Sequence, residues 1–355
     1  MEAATLAVGA AKHDAEPAAK KAKAWWVEPL APYSGGDTRR SLACLATSVL
    51  PYLLLWPVMY LLLDVSYLLT LAVSVLASGF LLRTYIVFHD CSHGSFMRTK
   101  RANTWLGVFV GILVYSPFHS WRQEHAGHHA SAGDLDRRGV GDIDTWTVAE
   151  YASKPWRARL AYRLLRSPML MLTIGPLWAL ALQPRLIPMQ KRKRIRRSHL
   201  YTDFAVAAAV AGMILLIGWQ AYLMIQLPMI IMAGGAGVWL FYVQHQFEGV
   251  YWTRSEEWSF VDAALKGSSY LKLPKVLQFF TGNIGLHHVH HLCPKIPNYN
   301  LQRAHDANPF LHEAPTISLR DGLRTLRLKL IDEQGGKLVT FAQARRRLAT
   351  STRAA

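Results

Sequence analysis

The chain has 355 residues, of which 51% are hydrophobic, and its formal net charge at pH 7 is +17. This composition allows membrane spans beside a soluble portion. Because the basic residues flank apolar segments, we interpret the charge as positive-inside bias and attraction to anionic headgroups rather than as a nucleic-acid site. Only three cysteines occur, without a C-x-x-C pair, which argues against a disulfide framework and an iron–sulfur site.

Residues 1–37 are predicted to form a disordered, basic N-terminal tail. Alanine and lysine dominate its first two thirds, a composition that cannot bury a core. The brief apolar run there precedes the lysines, which is the wrong order for a cleaved signal peptide.

Two long apolar stretches follow. From Ser41 to Leu82 the only charged residue is Asp64, and from Phe204 to Val243 there is none. A bilayer span needs about 20 apolar residues, so each stretch holds two helices. The predicted spans are about 42–63, 66–88, 200–218 and 221–243.

The positive charges in the predicted loops indicate how these spans are oriented in the membrane. Lysines and arginines flank both pairs, whereas the tips of the pairs carry none. Both pairs are therefore expected to enter from the cytoplasm as hairpins and return to it, in a multi-pass protein of a bacterial inner membrane.

Two further apolar segments, 104–118 and 167–184, are predicted to be interfacial. The first is too short to span, and three prolines interrupt the second. Residues 313–355 are polar and basic and are predicted to be a cytoplasmic tail, which leaves 38–312 as the main domain. The predicted fold class is all-α: an integral membrane protein with four transmembrane helices in two hairpins and a cytoplasmic helical cap.

Three histidine clusters lie just outside the apolar stretches. Residues three and four apart share a helix face, so each cluster presents its imidazoles together. His288 lies about 100° around the helix from His287 and is left out. The predicted metal ligands are His89 and His93, then His125, His128 and His129, and finally His287, His290 and His291.

Eight histidines are too many for one ion and indicate two. Imidazole ligands alone suit Zn, Cu, Fe or Ni. His245, at the exit of the fourth span, is a ninth candidate, with a simple interfacial histidine as the alternative.

Other polar residues are candidates for supporting roles. Asn283 precedes His287 by four residues and could hold a metal-bound water, or could instead turn the chain between two glycines. Ligand imidazoles usually donate the N–H of the ring nitrogen that does not bind the metal to a carboxylate or a carbonyl. The candidates for that role are Asp90, Glu124, Asp136 and Asp142, with solvated loop charges as the alternative for at least half of them.

Four segments resemble those of the membrane fatty acid desaturases, with the closest likeness to the bacterial and cyanobacterial acyl-lipid branch that includes Δ12 (omega-6) enzymes. The segments are HDCSHGSF at 89–96, LDRRGVGD at 135–142, QHQFE at 244–248 and TGNIGLHHVHH at 281–291. The resemblance runs from about residue 38 to 312. Ser92 stands where glycine is frequent in relatives, a change between small residues that should not affect ligation.

The resemblance implies a cytoplasmic di-iron site that uses O2 and two electrons to insert a cis double bond into a fatty acyl chain. The nine histidines named above would be its iron ligands. The substrate would be an acyl lipid, an acyl-CoA or an acyl carrier protein conjugate, and its acyl chain would reach the site from the membrane. The reaction would belong to unsaturated fatty acid biosynthesis. Since no haem, dinucleotide or iron–sulfur motif occurs, a separate ferredoxin or cytochrome b5-type protein would supply electrons.

Several alternatives stay open at this point. A related di-iron fatty acid hydroxylase, alkane monooxygenase or carotenoid oxygenase would share the same histidines. A metal transporter or a zinc-dependent membrane hydrolase would belong to another class. Transporters place polar ligands near the bilayer midplane, whereas these histidines lie beyond the predicted helix ends.

Overall fold

The structure is a computed structural model that describes residues 24–139, 143–186 and 192–354. In this part of the chain, helices predominate and two small two-stranded β-sheets accompany them. The predicted all-α class is confirmed apart from these short strands.

Four helices are long and apolar enough to cross a membrane, as predicted. The first two are linked by three residues and the last two by Gly218 alone, so each pair folds back on itself. Gly218 has a φ of 83°, a left-handed conformation that glycine adopts without strain. The four helices are α2 (Thr38–Leu63), α3 (Tyr67–His93), α10 (Lys193–Ile217) and α11 (Trp219–His245).

The outer faces of these helices are apolar. Leu54, Leu61, Leu68 and Leu215 are each at least two thirds exposed. A soluble protein rarely exposes so much contiguous apolar surface, whereas lipid solvates it. The chain is therefore described as a membrane protein.

All four long helices continue beyond the predicted spans, and two of them do so into predicted histidine ligands. α3 extends past residue 88 to His93 and ends where Gly94 adopts a left-handed φ of 66°. α11 extends past residue 243 to His245. The apolar window marks only the part of a helix that lipid can solvate, while backbone hydrogen bonding continues into the polar residues.

Shorter helices surround the ends of the long ones. They are α1 (Val27–Leu30), α4 (Lys100–Leu113), α5 (Phe118–Ser131), α6 (Val148–Ser153), α7 (Trp156–Leu165), α8 (Pro168–Leu172), α9 (Ile174–Pro176), α12 (Phe260–Leu265), α13 (Lys275–Phe280), α14 (His287–Leu292), α15 (Asn298–Ala307), α16 (Leu319–Thr325) and α17 (Phe341–Ala354). Strand β1 (Tyr270–Lys272) pairs in parallel with β2 (Thr316–Ser318), and β3 (Leu330–Asp332) pairs antiparallel with β4 (Lys337–Val339).

The two predicted interfacial segments are both broken. In segment 104–118 the helix α4 ends at Leu113, because Tyr115 takes a φ of 58° and Pro117 is the N-cap of the next helix, α5. Segment 167–184 divides into α8, α9 and a π-helical turn at Leu177–Leu182. This second segment packs on α11, where a Cβ on Gly235 would lie 2.4 Å from the carbonyl oxygen of Leu172.

Both predicted tails are partly folded. Residues 1–23 lie outside the described residues, but 24–37 are ordered: Trp25 packs edge-on against Phe310, with ring centroids 5.0 Å apart. The predicted C-terminal tail contains β2, α16, the β3–β4 hairpin and α17. Residues 24–37 differ from the disorder prediction because Leu30 is fully buried in an apolar core. The cytoplasmic location of residues 313–355 stays a prediction, and Leu330 and Val339 show that this segment buries apolar side chains.

Helix α3 is the centre of the fold. It packs against α2, α4, α5 and α11, and its C-terminal half is largely buried. One apolar core fills the space between these helices, and a second surrounds α14 and the strands β1 and β2. The histidines lie where the two cores meet.

Candidate metal centre

Nine histidines from α3, α5, α11 and α14 converge into two groups in the described chain. Within each group the nearest ring nitrogens all lie within 4.8 Å of one another. They are the nine predicted ligands. The first group contains His89, His93, His125, His129 and His290, and the second contains His128, His245, His287 and His291.

The two groups divide the sequence clusters between them. α3 contributes only to the first group and α11 only to the second, whereas α5 and α14 contribute to both. On α5, His125 and His129 lie one turn apart and share a group, but His128 is rotated about 100° from His129. On α14 the division is reversed: His287 and His291 join the second group and His290 joins the first.

The spacing in the first group fits ligands on one ion. The Nε2 atom of His125 lies 3.0 Å from that of His89 and 3.1 Å from that of His129. His129 Nε2 lies 3.0 Å from His290 Nε2. Two nitrogen ligands at right angles, each about 2.1 Å from an ion, are about 3.0 Å apart. The Nε2 atoms therefore have the separation of adjacent ligands.

The second group has the same spacing and is more deeply buried. His245 Nε2 lies 3.1 Å from His128 Nε2 and 2.9 Å from His287 Nε2. Its rings also adjoin the first group, because His129 stacks on His291 with centroids 4.1 Å apart and an angle of 18°. The two groups are thus neighbouring sites with a shared wall, an arrangement that can hold a pair of metal ions.

Burial keeps these imidazoles neutral. Desolvation lowers the pKa of His125, His129, His287, His290 and His291 well below the ordinary histidine value, and the surrounding imidazoles lower it further. The neutral ring is the form that binds a metal.

A neutral ring carries only one N–H, so the converging nitrogens cannot all satisfy one another by hydrogen bonding. The buried Nε2 atoms of His93 and His291 have no hydrogen-bond partner in the described chain. A cation at each group would use these lone pairs. The residues present therefore fit a metal ion in both groups.

Hydrogen bonds orient a ring in each group. The Nδ1–H of His89 donates to Asp90 Oδ1 at 3.1 Å, and Asp90 Oδ2 accepts from the backbone and side-chain amides of Asn298 at 2.7 and 2.8 Å. The Nδ1–H of His245 donates to the carbonyl oxygen of Gly267 at 3.0 Å. Both bonds place the N–H on Nδ1 and the lone pair on Nε2, which is the usual way of orienting a ligand imidazole.

Aromatic rings complete the walls. Trp121 stacks on His125 with centroids 4.4 Å apart, and Phe241 lies 5.0 Å from His128. Trp121 precedes His125 by four residues, and Phe241 precedes His245 by four residues. This helical spacing could have predicted that both rings lie beside the ligands. Asn298 and Gly267 were missed, and no local pattern marks them.

The remaining nominated residues have mixed outcomes. Asn283 lies in a turn with a φ of 57°, and α14 begins only at His287, so the helical spacing that motivated it is absent. Its Nδ2 donates a hydrogen bond to the carbonyl of Asn298 at 3.2 Å.

The three remaining carboxylates were nominated as partners of ligand imidazoles. Glu124 accepts a hydrogen bond from Ser120. Asp136 is bonded to Arg254 and Ser255 instead of an imidazole, because its loop packs against theirs. Asp142 lies outside the described residues.

His288 belongs to neither group. It is fully buried, and its Nε2 lies 3.2 Å from Nδ1 of His305 on α15. Its position agrees with the rotation of about 100° that separates it from His287 on the helix.

Comparison with known proteins gives one consistent family. The family model described as fatty acid desaturase matches residues 38–317. A fatty acid desaturase of Bacillus subtilis (strain 168) is 46% identical over 312 residues, which is 88% of this chain and 89% of the relative. Two Synechocystis proteins are more distant: an sn-1 oleoyl-lipid 12-desaturase (26% identical, covering 64% of this chain and 66% of the relative) and an sn-1 acyl-lipid omega-3 desaturase (ferredoxin) (29% identical, 64% of each).

The Asp90 carboxylate yields a prediction on metal affinity. Replacing it by asparagine removes the charge that holds the His89 ring, and we expect the Asp90→Asn protein to bind metal 10- to 100-fold more weakly. Competition with a chelator of known affinity on the purified protein measures this change.

Asp136→Asn is the matched control, since it removes one carboxylate at an exposed site bonded to Arg254. It should bind metal as the unaltered protein does. Equal affinities for all three proteins would contradict the orienting role of Asp90.

Proposed function

The chain belongs to the fatty acid desaturase family, oxidoreductases that act on fatty acyl chains, and on that premise we propose that its two histidine groups bind a pair of iron ions. The convergence of nine imidazoles into two adjoining groups is the observation that carries this proposal. All-nitrogen ligation suits a redox-active first-row metal. When bound, the iron pair would supply the oxidation by O2 that no acid–base side chain can perform on an unactivated C–H bond.

The chain's own residues would position and shield this chemistry. Asp90 and Gly267 fix the tautomers of His89 and His245, so that their Nε2 atoms point inward. Phe88 and Trp121, whose rings lie 5.1 Å apart, form an apolar wall beside His89. Such a wall would exclude water and favour an acyl chain over a polar substrate.

Metal analysis tests the iron proposal. Protein purified anaerobically after growth with ample iron should contain about two irons per chain, because each histidine group can hold one ion. Zinc alone under these conditions would contradict the proposal. His312→Ala, at an exposed histidine outside both groups, is the control and should retain both irons.

We infer that the substrate is the acyl group of a membrane lipid. The names of two relatives specify acyl lipids, and the exposed apolar surface of the long helices supports contact with such molecules. The more specific Δ12-like position rests on relatives that are 25–27% identical, and we keep it as a prediction.

Product analysis in a host that lacks the activity tests both statements. Gas chromatography–mass spectrometry should reveal fatty acids with one additional cis double bond at the twelfth carbon. His128→Ala and His290→Ala each remove one predicted ligand from a different group, and we expect both to reach the membrane but abolish the product.

An alcohol product would overturn the desaturase function in favour of a hydroxylase. A double bond elsewhere would overturn the Δ12-like position alone. Normal turnover by either histidine variant would contradict its role as a ligand, and His312→Ala should behave as the unaltered enzyme.

We further propose that both hairpins open towards the cytoplasm and that a separate donor delivers electrons there. The name of one relative specifies ferredoxin. Arg122 and Lys295 are exposed beside the first group, where Lys295 Nζ donates to the carbonyl of His93 at 2.7 Å. Positive charge at this position suits an acidic electron carrier.

Vesicles of known orientation test the side and the donor together. Inverted membrane vesicles should desaturate their lipids when reduced ferredoxin is added outside, and the rate should fall as salt screens the encounter. Right-side-out vesicles should be inactive with the same carrier, as should inverted vesicles containing His290→Ala. Activity only in right-side-out vesicles would reverse the proposed orientation.

A further inference from the structure

Two cationic side chains are buried away from the histidines. Arg166 is 4% exposed and Lys329 is 5% exposed. No carboxylate of the described chain forms an ion pair with either. A buried charge that lacks an opposite charge costs several kcal/mol, so such a pair requires a reason.

Both cations lie against the same tyrosine. The guanidinium carbon of Arg166 is 5.1 Å from the ring centroid of Tyr242, and Lys329 Nζ is 5.2 Å from it. The ring provides weak cation–π attraction to each cation. It cannot neutralise them, and it brings two like charges close together.

Most of their hydrogen-bonding capacity is unused. Arg166 Nη2 donates to Gln246 Oε1 at 3.1 Å and to Tyr242 Oη at 3.3 Å. The Nε and Nη1 atoms of Arg166 and the Nζ atom of Lys329 are buried and have no hydrogen-bond partner among the described residues. These atoms together leave several N–H donors unused in the described chain.

The charge state of Lys329 is consistent with an anion site. Burial, and secondarily the charge of Arg166, lower the pKa of Lys329 to about 7. A bound anion would restore its proton and positive charge.

The surroundings favour a lipid as the source of the anion. Arg166 ends α7, on which Trp156, Leu160 and Leu164 form an exposed apolar stripe at intervals of four residues. In the next helix, α8, the side chain of Met169 is 78% exposed. An amphipathic helix of this kind lies at the headgroup level of a bilayer, where lipid phosphates are found.

We propose that Arg166 and Lys329 together bind the phosphate group of a glycerophospholipid. An arginine fork and a lysine ammonium are the usual ligands of a phosphate. Because Tyr242 and Gln246 flank His245 on the same helix end, the lipid would be held about one helical turn from the second histidine group. This inference rests on the proposed desaturase function. It extends that function because it identifies phospholipids, rather than neutral glycolipids, as the substrate class.

Thermal unfolding of the purified full chain tests this site without requiring turnover. Phosphatidylglycerol added to protein in neutral detergent should raise the unfolding temperature, because a ligand of the native state stabilises it. A neutral galactolipid should leave that temperature unchanged. Inorganic phosphate at the same concentration should have little effect, and a full shift with phosphate alone would overturn the lipid assignment.

Variants identify the residues involved. Arg166→Met and Lys329→Met should each weaken the apparent affinity for phosphatidylglycerol about tenfold or more. Arg327→Met is the matched control, since it removes the same charge two residues from Lys329 at an exposed position, and it should retain the full shift. An undiminished shift in the Arg166→Met/Lys329→Met double variant would overturn the proposal.

The sign of one stability change provides a second test. Without phospholipid, Lys329→Met should unfold at an equal or higher temperature, because Lys329 Nζ makes no hydrogen bond in the fold. A clear loss of stability would show that Lys329 is a structural cation and would overturn its role as a lipid ligand. An enzyme that desaturates normally but shows no phospholipid shift would refute this site alone, whereas a phospholipid shift in an inactive protein would refute the proposed function alone.

Discussion

The rest of the structure depends on holding nine imidazoles close together and largely out of water. Their lone pairs face one another at about hydrogen-bonding distance, and their single N–H groups cannot satisfy all of them. Such an arrangement does not form spontaneously, so the surrounding elements must impose it. α3 and α11 do so by continuing as helices from their apolar segments to the site. α5 and α14 supply the remaining imidazoles. The apolar packing around α3 therefore determines the ligand geometry.

The polar network around Asp90 connects the histidines to the chain beyond the third cluster. The Oδ2 atom of Asp90 accepts hydrogen bonds from the backbone and side-chain amides of Asn298, and its Oδ1 atom accepts one from His89. A buried carboxylate without these donors would be costly, and with them it becomes a rigid link between α3 and α15. The start of α15 is thus part of the support of the site, although it contributes no predicted ligand.

Much of this could be predicted from the sequence, because it depends on periodicity and composition. Long stretches with at most one charged residue predicted the four long helices. Spacings of three and four residues predicted which histidines share a helix face. The division into two groups could not be predicted, because it depends on where α3 and α11 meet α5 and α14. The same limit applies to Asn298 and Gly267, which act through contacts distant in sequence. The folded elements of the C-terminal residues could not be predicted either, because composition averages over Leu330 and Val339, whose burial depends on partners elsewhere in the chain.

α5 and α14 each contribute histidines to both groups, which links the two groups mechanically. An ion bound to His125 and His129 would fix the rotation of α5, and the same rotation places His128 in the neighbouring group. α14 transmits the constraint in the opposite direction through His290 and His287. If each group bound one ion, the helix positions set by the first ion would also hold ligands of the second, and the two occupancies would be thermodynamically coupled. Such a centre would favour full or empty occupancy over half occupancy.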